Sequence, residues 1–537
     1  MKHKDTQKGK SMRVTITIQL SLFISLLGAV VYGQESMLTI NNSLQEPALR
    51  IMEPVDTIVA DLERFIPGYM RQENIPGVAI AMIHDGKVVW TKGFGVMNII
   101  TAKPMTSESV FEVASNGKVV SAYIALRLVD QGILSLDKPL NDYLPQPWLP
   151  SSQYRNVVTL RHVLSHSSGL GHNTLSRDIL FTPGSRYSYS GIGILYLQAV
   201  IEQVTGKSIE EAAQGMVFKP LGMSSSSFIN HESLTQRTAN GHIHAILPTI
   251  IFLLAYIIAI VVIGFIGLIL YRILTGYWRL KVKTVVVGLA LAFILSMIPL
   301  FILLGKTSLL EFAWLIAWCG FVFIAVYALI FIAGRFIVVK FFQNRSKLRV
   351  VFTILWSIFL LIGLIFCTSK IKNVPVPRWP SIKPMAAATL RASVGDMAKF
   401  LFELSHPQQL SDTLATELKT PQIGLCDDLS WGLGPGIQHS QQGDALWQWG
   451  QHLDFQSIMI IYPEHGFGAV VCTNSDLLKP DVAIEIAHRA LGGKINSIRR
   501  ASRLEFNYRV LQNDKISVVP NGAKRSEESV YFANIVG

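Results

Sequence analysis

The sequence predicts a mixed α/β globular domain that is interrupted by four transmembrane helices. Two runs of β-type residues in "GVAIAMIHDGKVVWTKGFGVMN" are joined by Asp85-Gly86, a dipeptide typical of tight hairpin turns. Apolar residues at helical spacing follow in "NGKVVSAYIALRLVDQG", where Gly132 is a typical helix stop. Half of all residues are hydrophobic and only 16% are charged, which is too apolar for an ordinary soluble protein and indicates membrane spans.

Residues 1–33 have the pattern of a secretory signal. Basic residues come first, an apolar core follows around Leu20 to Val31, and the small Gly33 stands at a suitable cleavage site. This pattern predicts a signal peptide, with an uncleaved N-terminal anchor as the alternative. In either case we expect the chain that follows to be exported.

Four apolar runs between residues 245 and 370 each approach the ~20 residues that a helix needs to cross a ~30 Å hydrocarbon core. They are Ile246 to Leu270, Val285 to Leu304, Phe312 to Ala333 and Val350 to Cys367. The loops after the first and third runs hold four and five Lys or Arg and no acid. By the positive-inside rule these loops are cytoplasmic and both ends of the block are outside. The prediction is a multi-pass protein of the cell membrane, in contact with lipid, whose globular part is extracytoplasmic.

The net charge of +12 does not indicate a nucleic-acid partner. The excess comes from the N-terminus and the two basic loops, so the globular parts are close to neutral. No C-x-x-C or Cys/His cluster occurs, and His231-Glu232 lacks the second histidine of a zinc-protease helix, so no metal and no cofactor is predicted. Cys426 and Cys472 are expected to be buried free thiols, with a disulfide between them as the alternative.

The chain is divided accordingly. The parts are the signal peptide or anchor 1–33, a first globular part 45–244, the four-helix insertion 245–370, a second globular part 371–493 and an unassigned tail 494–537. In the second part, "RASVGDMAKFLFEL" predicts a helix opened by a capping box of Ser393 and Asp396. "FQSIMIIYPEHGFGAVVCTNSD" predicts a hairpin turned at Pro463 to Gly466, and "DVAIEIAHRALGG" predicts a closing helix.

The tetrad Ser115-Asn116-Gly117-Lys118 is an S-x-x-K motif at the start of the first predicted helix. At this spacing the Ser115 hydroxyl and the Lys118 amine share one face of the first turn. The helix dipole favours negative charge there and helps to keep Lys118 deprotonated. A neutral lysine can take the proton of the serine hydroxyl as the hydroxyl attacks a carbonyl.

The surrounding stretches closely resemble the serine β-lactamase-related, penicillin-binding protein-like superfamily. They are "SNGKVV", "DQGILSLDKPLNDYLP", "VTLRHVLSHSSGLG", "PGSRYSYSGIGILYLQAVIEQVTGKS" and "FKPLGMSSSSF". Within it the chain looks like class C β-lactamases, D-Ala-D-Ala carboxypeptidases and esterases, over about Pro54 to His242 and Pro384 to Gly493. The resemblance implies an antiparallel sheet flanked by helices, plus an all-helical subdomain, with the apolar block inserted in a surface loop.

The resemblance also implies roles for individual residues. Ser115 is the expected nucleophile and Lys118 its base. Tyr189, rather than Tyr187, is the expected tyrosine that relays the proton to the leaving group and activates the deacylating water. The backbone N–H groups of Ser115 and Gln451 are the expected oxyanion hole.

Two substrate-binding positions depart from the family pattern. Gly191 stands where Asn is usual, so an amide for the substrate's acyl-amide group is absent. Gln448-Trp449-Gly450 stands where K-T-G or H-x-G is usual, and the neutral donor Gln448 is expected to bind a substrate carboxylate less strongly than a cation. Gly450 is expected to let the strand approach the substrate closely.

The predicted function is a membrane-anchored extracytoplasmic serine hydrolase that forms an acyl-enzyme. Its substrate is expected to be a peptidoglycan-type D-amino-acid peptide, a β-lactam or a small ester or amide. The alternative, suggested by Gly191 and Gln448, is a catalytically weakened penicillin-binding-like receptor or structural membrane protein. His166 in "LSHSSGLG" is interpreted as a structural residue of a helix end at Gly169 rather than as part of a Ser-His triad. A transporter is disfavoured because the apolar runs contain no ionisable residue.

Overall fold

The computed structural model describes residues 47–172, 177–244, 373–375, 383–475, 481–494 and 498. The predicted signal segment, the four apolar runs and nearly all of the C-terminal tail lie outside these residues. Within the described ranges, no helix combines the length and the apolar character that a membrane crossing requires.

Within the described residues, the strands form one large sheet and two small ones. In chain order they are β1 (Gly77–His84), β2 (Lys87–Asn98), β3 (Lys103–Pro104), β4 (Val110–Glu112), β5 (His242–His244), β6 (Asn373–Pro375), β7 (Arg391–Ser393), β8 (Ile423–Cys426), β9 (Leu429–Trp431), β10 (Gly436–Gln438), β11 (Ala445–Gln451), β12 (Gln456–Tyr462) and β13 (Phe467–Thr473). Nine of them form an antiparallel sheet in the order β3-β2-β1-β13-β12-β11-β10-β9-β8, while β4 pairs with β7 and β5 with β6. The expected antiparallel sheet is confirmed.

Both predicted hairpins are confirmed. β1 and β2 are joined by Asp85 and Gly86, which both have positive φ angles (48° and 71°), as a tight turn with the twist of its flanking strands requires. β12 and β13 are joined by the short 3₁₀ turn Pro463–His465, which ends at Gly466 with φ 55°.

Helices cover both faces of the sheet. They are α1 (Val55–Glu73), α2 (Asn116–Asp130), α3 (Leu160–Leu164), α4 (Gly191–Thr205), α5 (Ile209–Ala213), α6 (Glu232–Thr235), α7 (Val394–Ser405), α8 (Asp412–Lys419) and α9 (Val482–Leu491), with further 3₁₀ turns at Arg50–Met52 and Leu140–Tyr143 and a π turn at Gln214–Phe218. The predicted helices α2, α7 and α9 are confirmed.

The capping box predicted for α7 is only half formed. Ser393 Oγ accepts the Asp396 backbone N–H at 3.2 Å, as expected. The Asp396 carboxylate, however, accepts the Ser225 backbone N–H at 2.6 Å and the Ser226 hydroxyl at 3.0 Å. The acid therefore ties α7 to the first globular part instead of closing the box.

Strand β1 is buried on both faces because two separate apolar clusters lie against the sheet. Val78, Ile80 and Met82 point into a cluster with α1 and α9. The alternating residues of β1 point into a second cluster, which also contains α2, α4 and α7. Each of these β1 side chains is less than 1% exposed, as expected for a strand between two helical layers.

Strands from both sides of the predicted insertion pair with each other. β5 and β6 are antiparallel neighbours with His244 opposite Asn373, and β4 pairs with β7. β1, from the first part, lies between β2 and β13. Cys472 is a buried free thiol, whereas Cys426 is exposed, so the prediction that both are buried was wrong for Cys426.

Candidate active site

The Ser115 and Lys118 side chains are in direct contact at the start of α2. Lys118 Nζ lies 2.6 Å from Ser115 Oγ and donates a second hydrogen bond, of 2.9 Å, to the carbonyl oxygen of Ala387. Both side chains are buried, with 6% and 4% exposure. Ala114, just before the serine, has a φ of 48°, a conformation that is costly for a residue with a Cβ and recurs at functional sites.

Tyr189 lies next to this pair. Lys118 Nζ is 5.0 Å from the centroid of the Tyr189 ring, and the Tyr189 hydroxyl accepts a hydrogen bond of 3.0 Å from Gln448 Nε2. Tyr187, the tyrosine that the resemblance did not select, packs on Trp431 with ring centroids 5.4 Å apart. The structure thus brings Tyr189 together with Ser115, Lys118 and β11.

Gln448 does not offer the free donor that the sequence suggested. Its side chain is fully buried, and Nε2 donates to the Tyr189 hydroxyl and, at 2.7 Å, to the carbonyl oxygen of Trp449. An amide nitrogen has two hydrogens, so both are used within the protein. In this structure the Gln448 side chain holds the Tyr189 hydroxyl, and its expected role in binding a substrate carboxylate stays a prediction.

Trp449 is part of an aromatic stack beside the site. Its ring is stacked on those of Tyr189 and Trp447, at centroid distances of 5.5 and 5.1 Å, and only 4% of the residue is exposed. Trp449 is therefore covered by its neighbours, and one face of its ring packs on the tyrosine.

Gly450 is required by the protein backbone itself. A Cβ at this position would lie 2.1 Å from the carbonyl oxygen of Val113 and 2.5 Å from Ser457 Oγ. The glycine therefore lets β11 approach the turn that carries Ser115. Gln451, the next residue, is the last of β11, so its backbone lies at the point where strand and turn meet.

Three residues join the serine turn to β12, and we call them the clasp: Val113, Asn116 and Ser457. Asn116 Nδ2 donates to Ser457 Oγ at 2.8 Å, and that hydroxyl donates to the Val113 carbonyl oxygen at 3.1 Å. Sequence analysis did not find this contact, because Asn116 and Ser457 are 341 residues apart.

Gly191 is explained by the loop that faces it. A Cβ at this position would lie 2.7 Å from the carbonyl oxygen of His172, so backbone occupies the space that the family's Asn would need. The His172 ring is stacked on Tyr189 at 5.3 Å. His172 is a further residue of the site that sequence analysis missed.

A buried ion group lies beside the clasp. The Glu112 carboxylate accepts hydrogen bonds from Arg391 at 2.7 Å and from His452 Nδ1 at 3.0 Å. Burial alone would raise the pKa of Glu112, but His452 and Arg391 outweigh it and lower the pKa to about 2. The group joins β4, β7 and the residue after β11, which are the three segments around the serine turn.

The fold and the site together define a class: a penicillin-binding-protein-like α/β fold in which a buried Ser-Lys pair and a tyrosine meet beside β11, an inner strand of an antiparallel sheet. The sequence profile of the family described as Beta-lactamase matches residues 62–248 and 367–494. This chain belongs to that family.

Relatives of known type share only part of the chain. The esterase EstB of Burkholderia gladioli is 27% identical over 209 residues, which cover 33% of this chain and 53% of the esterase. Penicillin-binding protein 4 of Amycolatopsis lactamdurans is 30% identical over 190 residues, which cover 32% of this chain and 50% of that protein. The chain thus spans about half the length of the curated relatives it matches.

A solved structure has the same fold. The octameric penicillin-binding protein homologue from Pyrococcus abyssi superposes with a TM-score of 0.51 and 20% identity, over 80% of this chain and 76% of that one. At this identity the likeness concerns the fold alone.

Proposed function

We propose that this protein is a serine hydrolase that forms an acyl-enzyme at Ser115. The observation that carries the proposal is the 2.6 Å contact between Lys118 Nζ and Ser115 Oγ, buried beside Tyr189. As a neutral amine, Lys118 can keep one N–H on the Ala387 carbonyl oxygen and direct its lone pair at the serine hydroxyl. That arrangement suits a base that activates a nucleophile.

The reaction then proceeds in two halves. Lys118 takes the proton as Ser115 Oγ attacks the substrate carbonyl, and the backbone N–H groups of Ser115 and Gln451 stabilise the oxyanion. Tyr189 passes the proton to the leaving group, which departs and leaves an acyl-serine. In the second half water gives a proton to Tyr189 as its oxygen attacks the acyl carbonyl, and the phenolic proton of Tyr189 passes to Lys118. Lys118 returns this proton to Ser115 Oγ as the acyl bond breaks, which releases the acid and restores the free serine.

Covalent labelling tests this proposal. A fluorescent phosphonate or penicillin should label the wild-type protein, and the label should disappear in Ser115→Ala. Ser121→Ala is a matched control, since Ser121 is a buried serine of the same helix whose hydroxyl bonds only to the Gly117 carbonyl oxygen. Equal labelling of wild type and Ser115→Ala would remove the assignment.

For the substrate, we infer a preference for uncharged esters or amides over carboxylate-bearing peptides. The inference is supported by Gln448, whose two N–H groups are already used, and by Arg391, which is paired with Glu112. A D-alanyl peptide with a free carboxyl terminus can be compared with its amidated form. We expect kcat/KM of the amide to equal or exceed that of the acid, and a clear preference for the acid would contradict the inference.

We further propose that the hydrolase is anchored in the cell membrane, on the extracytoplasmic side, by the apolar block. The proposal is supported by the apolar runs and basic loops of the sequence and by the pairing of His244 with Asn373. Antiparallel partners lie only ~5 Å apart, so a short turn in place of residues 245–372 should yield a soluble enzyme that still takes the label. The full chain should resist extraction by alkaline carbonate; its release would contradict the anchoring.

A second candidate function is ligand binding with little turnover. It is favoured by the absence of the family's Asn amide at Gly191 and of a cation at Gln448. In that case the probe would label Ser115 once and no product would accumulate. Continuous, Ser115-dependent release of p-nitrophenol from p-nitrophenyl esters would decide for the enzyme.

A further inference from the structure

His166 binds the backbone on both sides of Tyr189. The Ser190 backbone N–H donates to His166 Nδ1 at 3.1 Å, and the Ser188 backbone N–H donates to the His166 carbonyl oxygen at 2.7 Å. One residue of the loop after α3 therefore accepts the backbone N–H of each of the two residues that flank the tyrosine. Ser190 is in turn the N-cap of α4, so the position of Tyr189 relative to that helix is set by the same contact.

The His166 ring is also in contact with the tyrosine ring. The two ring centroids lie 4.3 Å apart, while His172 and Trp449 are stacked on Tyr189 at 5.3 and 5.5 Å. The hydroxyl at the far end of the ring is held by Gln448. Backbone, ring and hydroxyl of Tyr189 are each held by a different contact, and His166 provides the first and part of the second.

The conformation and charge state of His166 fit this role. Its φ is 54°, which is unfavourable for most residues with a side chain. Nδ1 can accept a hydrogen bond only when it carries no proton. Burial keeps the pKa of His166 well below its ordinary value, so the ring stays neutral and keeps this acceptor at neutral pH.

We propose that His166 is a positioning residue for Tyr189, which places the phenol for proton transfer without itself exchanging protons with the substrate. The proposal rests on the function proposed above, in which Tyr189 moves protons at Ser115. It differs from the sequence interpretation of His166 as a residue of a helix end, because it predicts a specific effect on the chemical step.

A matched pair of variants separates the acceptor from the ring. His166→Asn and His166→Gly both tolerate a positive φ and both remove the imidazole. In the wild-type protein the Ser190 N–H donates to Nδ1, which is bonded to Cγ of His166. Asn keeps an acceptor at that place, its Oδ1, whereas Gly has none. Because a displacement of about 1 Å can cost ~100-fold in rate, we expect kcat of p-nitrophenyl ester hydrolysis to fall ~10- to 100-fold in His166→Gly and within ~3-fold in His166→Asn, with KM little changed.

A double-variant cycle distinguishes positioning from general damage. If His166 acts through the tyrosine hydroxyl, adding His166→Gly to Tyr189→Phe should cause almost no further loss of kcat. Additive losses, equal losses in Asn and Gly, or a Tyr189→Phe variant with wild-type kcat would each overturn the proposal. Thermal melting identifies a variant that does not fold; if His166→Gly is such a variant, His166→Ala, which also lacks the acceptor, takes its place in the cycle.

The proposed function fails separately from this inference. If the wild-type protein takes no label, or takes it equally in Ser115→Ala, the hydrolase assignment is lost. If Ser115 is labelled and turns over but His166→Gly keeps its kcat, only the role of His166 is lost.

Discussion

The substitution Gly450→Ala tests whether the contact between β11 and the serine turn sets the activity. The new Cβ would lie 2.1 Å from the Val113 carbonyl oxygen and 2.5 Å from Ser457 Oγ. Since a carbon and an oxygen normally approach to about 3.3 Å, strand and turn must separate by roughly 1 Å. The Val113 oxygen also accepts the Asn116 N–H, so this shift moves the turn that carries Ser115.

A separation of that size is expected to lower kcat/KM about 100-fold, which corresponds to about 2.7 kcal/mol of transition-state stabilisation. The assay is hydrolysis of a p-nitrophenyl ester together with the rate of phosphonate labelling. Gly424→Ala is the matched control: it lies in β8 of the same sheet, and its Cβ would meet no atom within 4 Å. The reasoning is refuted if Gly450→Ala stays within about threefold of wild type in both assays while melting normally.

Two further predictions concern the surroundings of the site. The pKa of Glu112 is lowered from 4.5 to about 2, so its contribution, on the order of 3 kcal/mol, is present above about pH 5 and is lost as the pH falls toward 2. Glu112→Gln should therefore be less stable than wild type at pH 7, because Arg391 and His452 lose their partner carboxylate. In thermal melts the variant should lose less stability than wild type between pH 5 and pH 3. An equal loss in the two proteins would contradict the role given to the Glu112 carboxylate. Gly191→Asn restores the family's usual residue but brings a Cβ to 2.7 Å from the carbonyl oxygen of His172. We therefore expect about 1–3 kcal/mol of destabilisation and no gain in kcat/KM. A higher kcat/KM would show that the loop carrying His172 moves to make room for the Asn side chain.

Contacts between neighbouring residues of the site could be predicted from the sequence. The S-x-x-K spacing predicts that Ser115 and Lys118 share a helical turn, and the structure has them 2.6 Å apart. The same holds for the hairpin turn at Asp85 and Gly86, where the dipeptide alone indicates the conformation. In both cases the geometry is set within four residues.

Contacts between distant residues could not be predicted from spacing. The Gln448 to Tyr189 hydrogen bond joins residues 259 apart, so nothing local to Gln448 showed that its donors were already used. The need for glycine at position 191 could not be predicted either, because it depends on the carbonyl oxygen of His172, which lies where a Cβ would stand. Side-chain identity at a motif position indicates what a residue can do, whereas its partners decide what it does.

The position of β1 in the sheet has a consequence for biosynthesis. β1 is among the first described elements of the chain, yet one of its two neighbours is β13, the last strand of the sheet. During translation one edge of β1 stays without its native partner until Phe467–Thr473 has been made. The proposed site is therefore completed late, and a truncated chain that ends before β13 should carry Ser115, Lys118 and Tyr189 but lack the strand that joins β1 to β12.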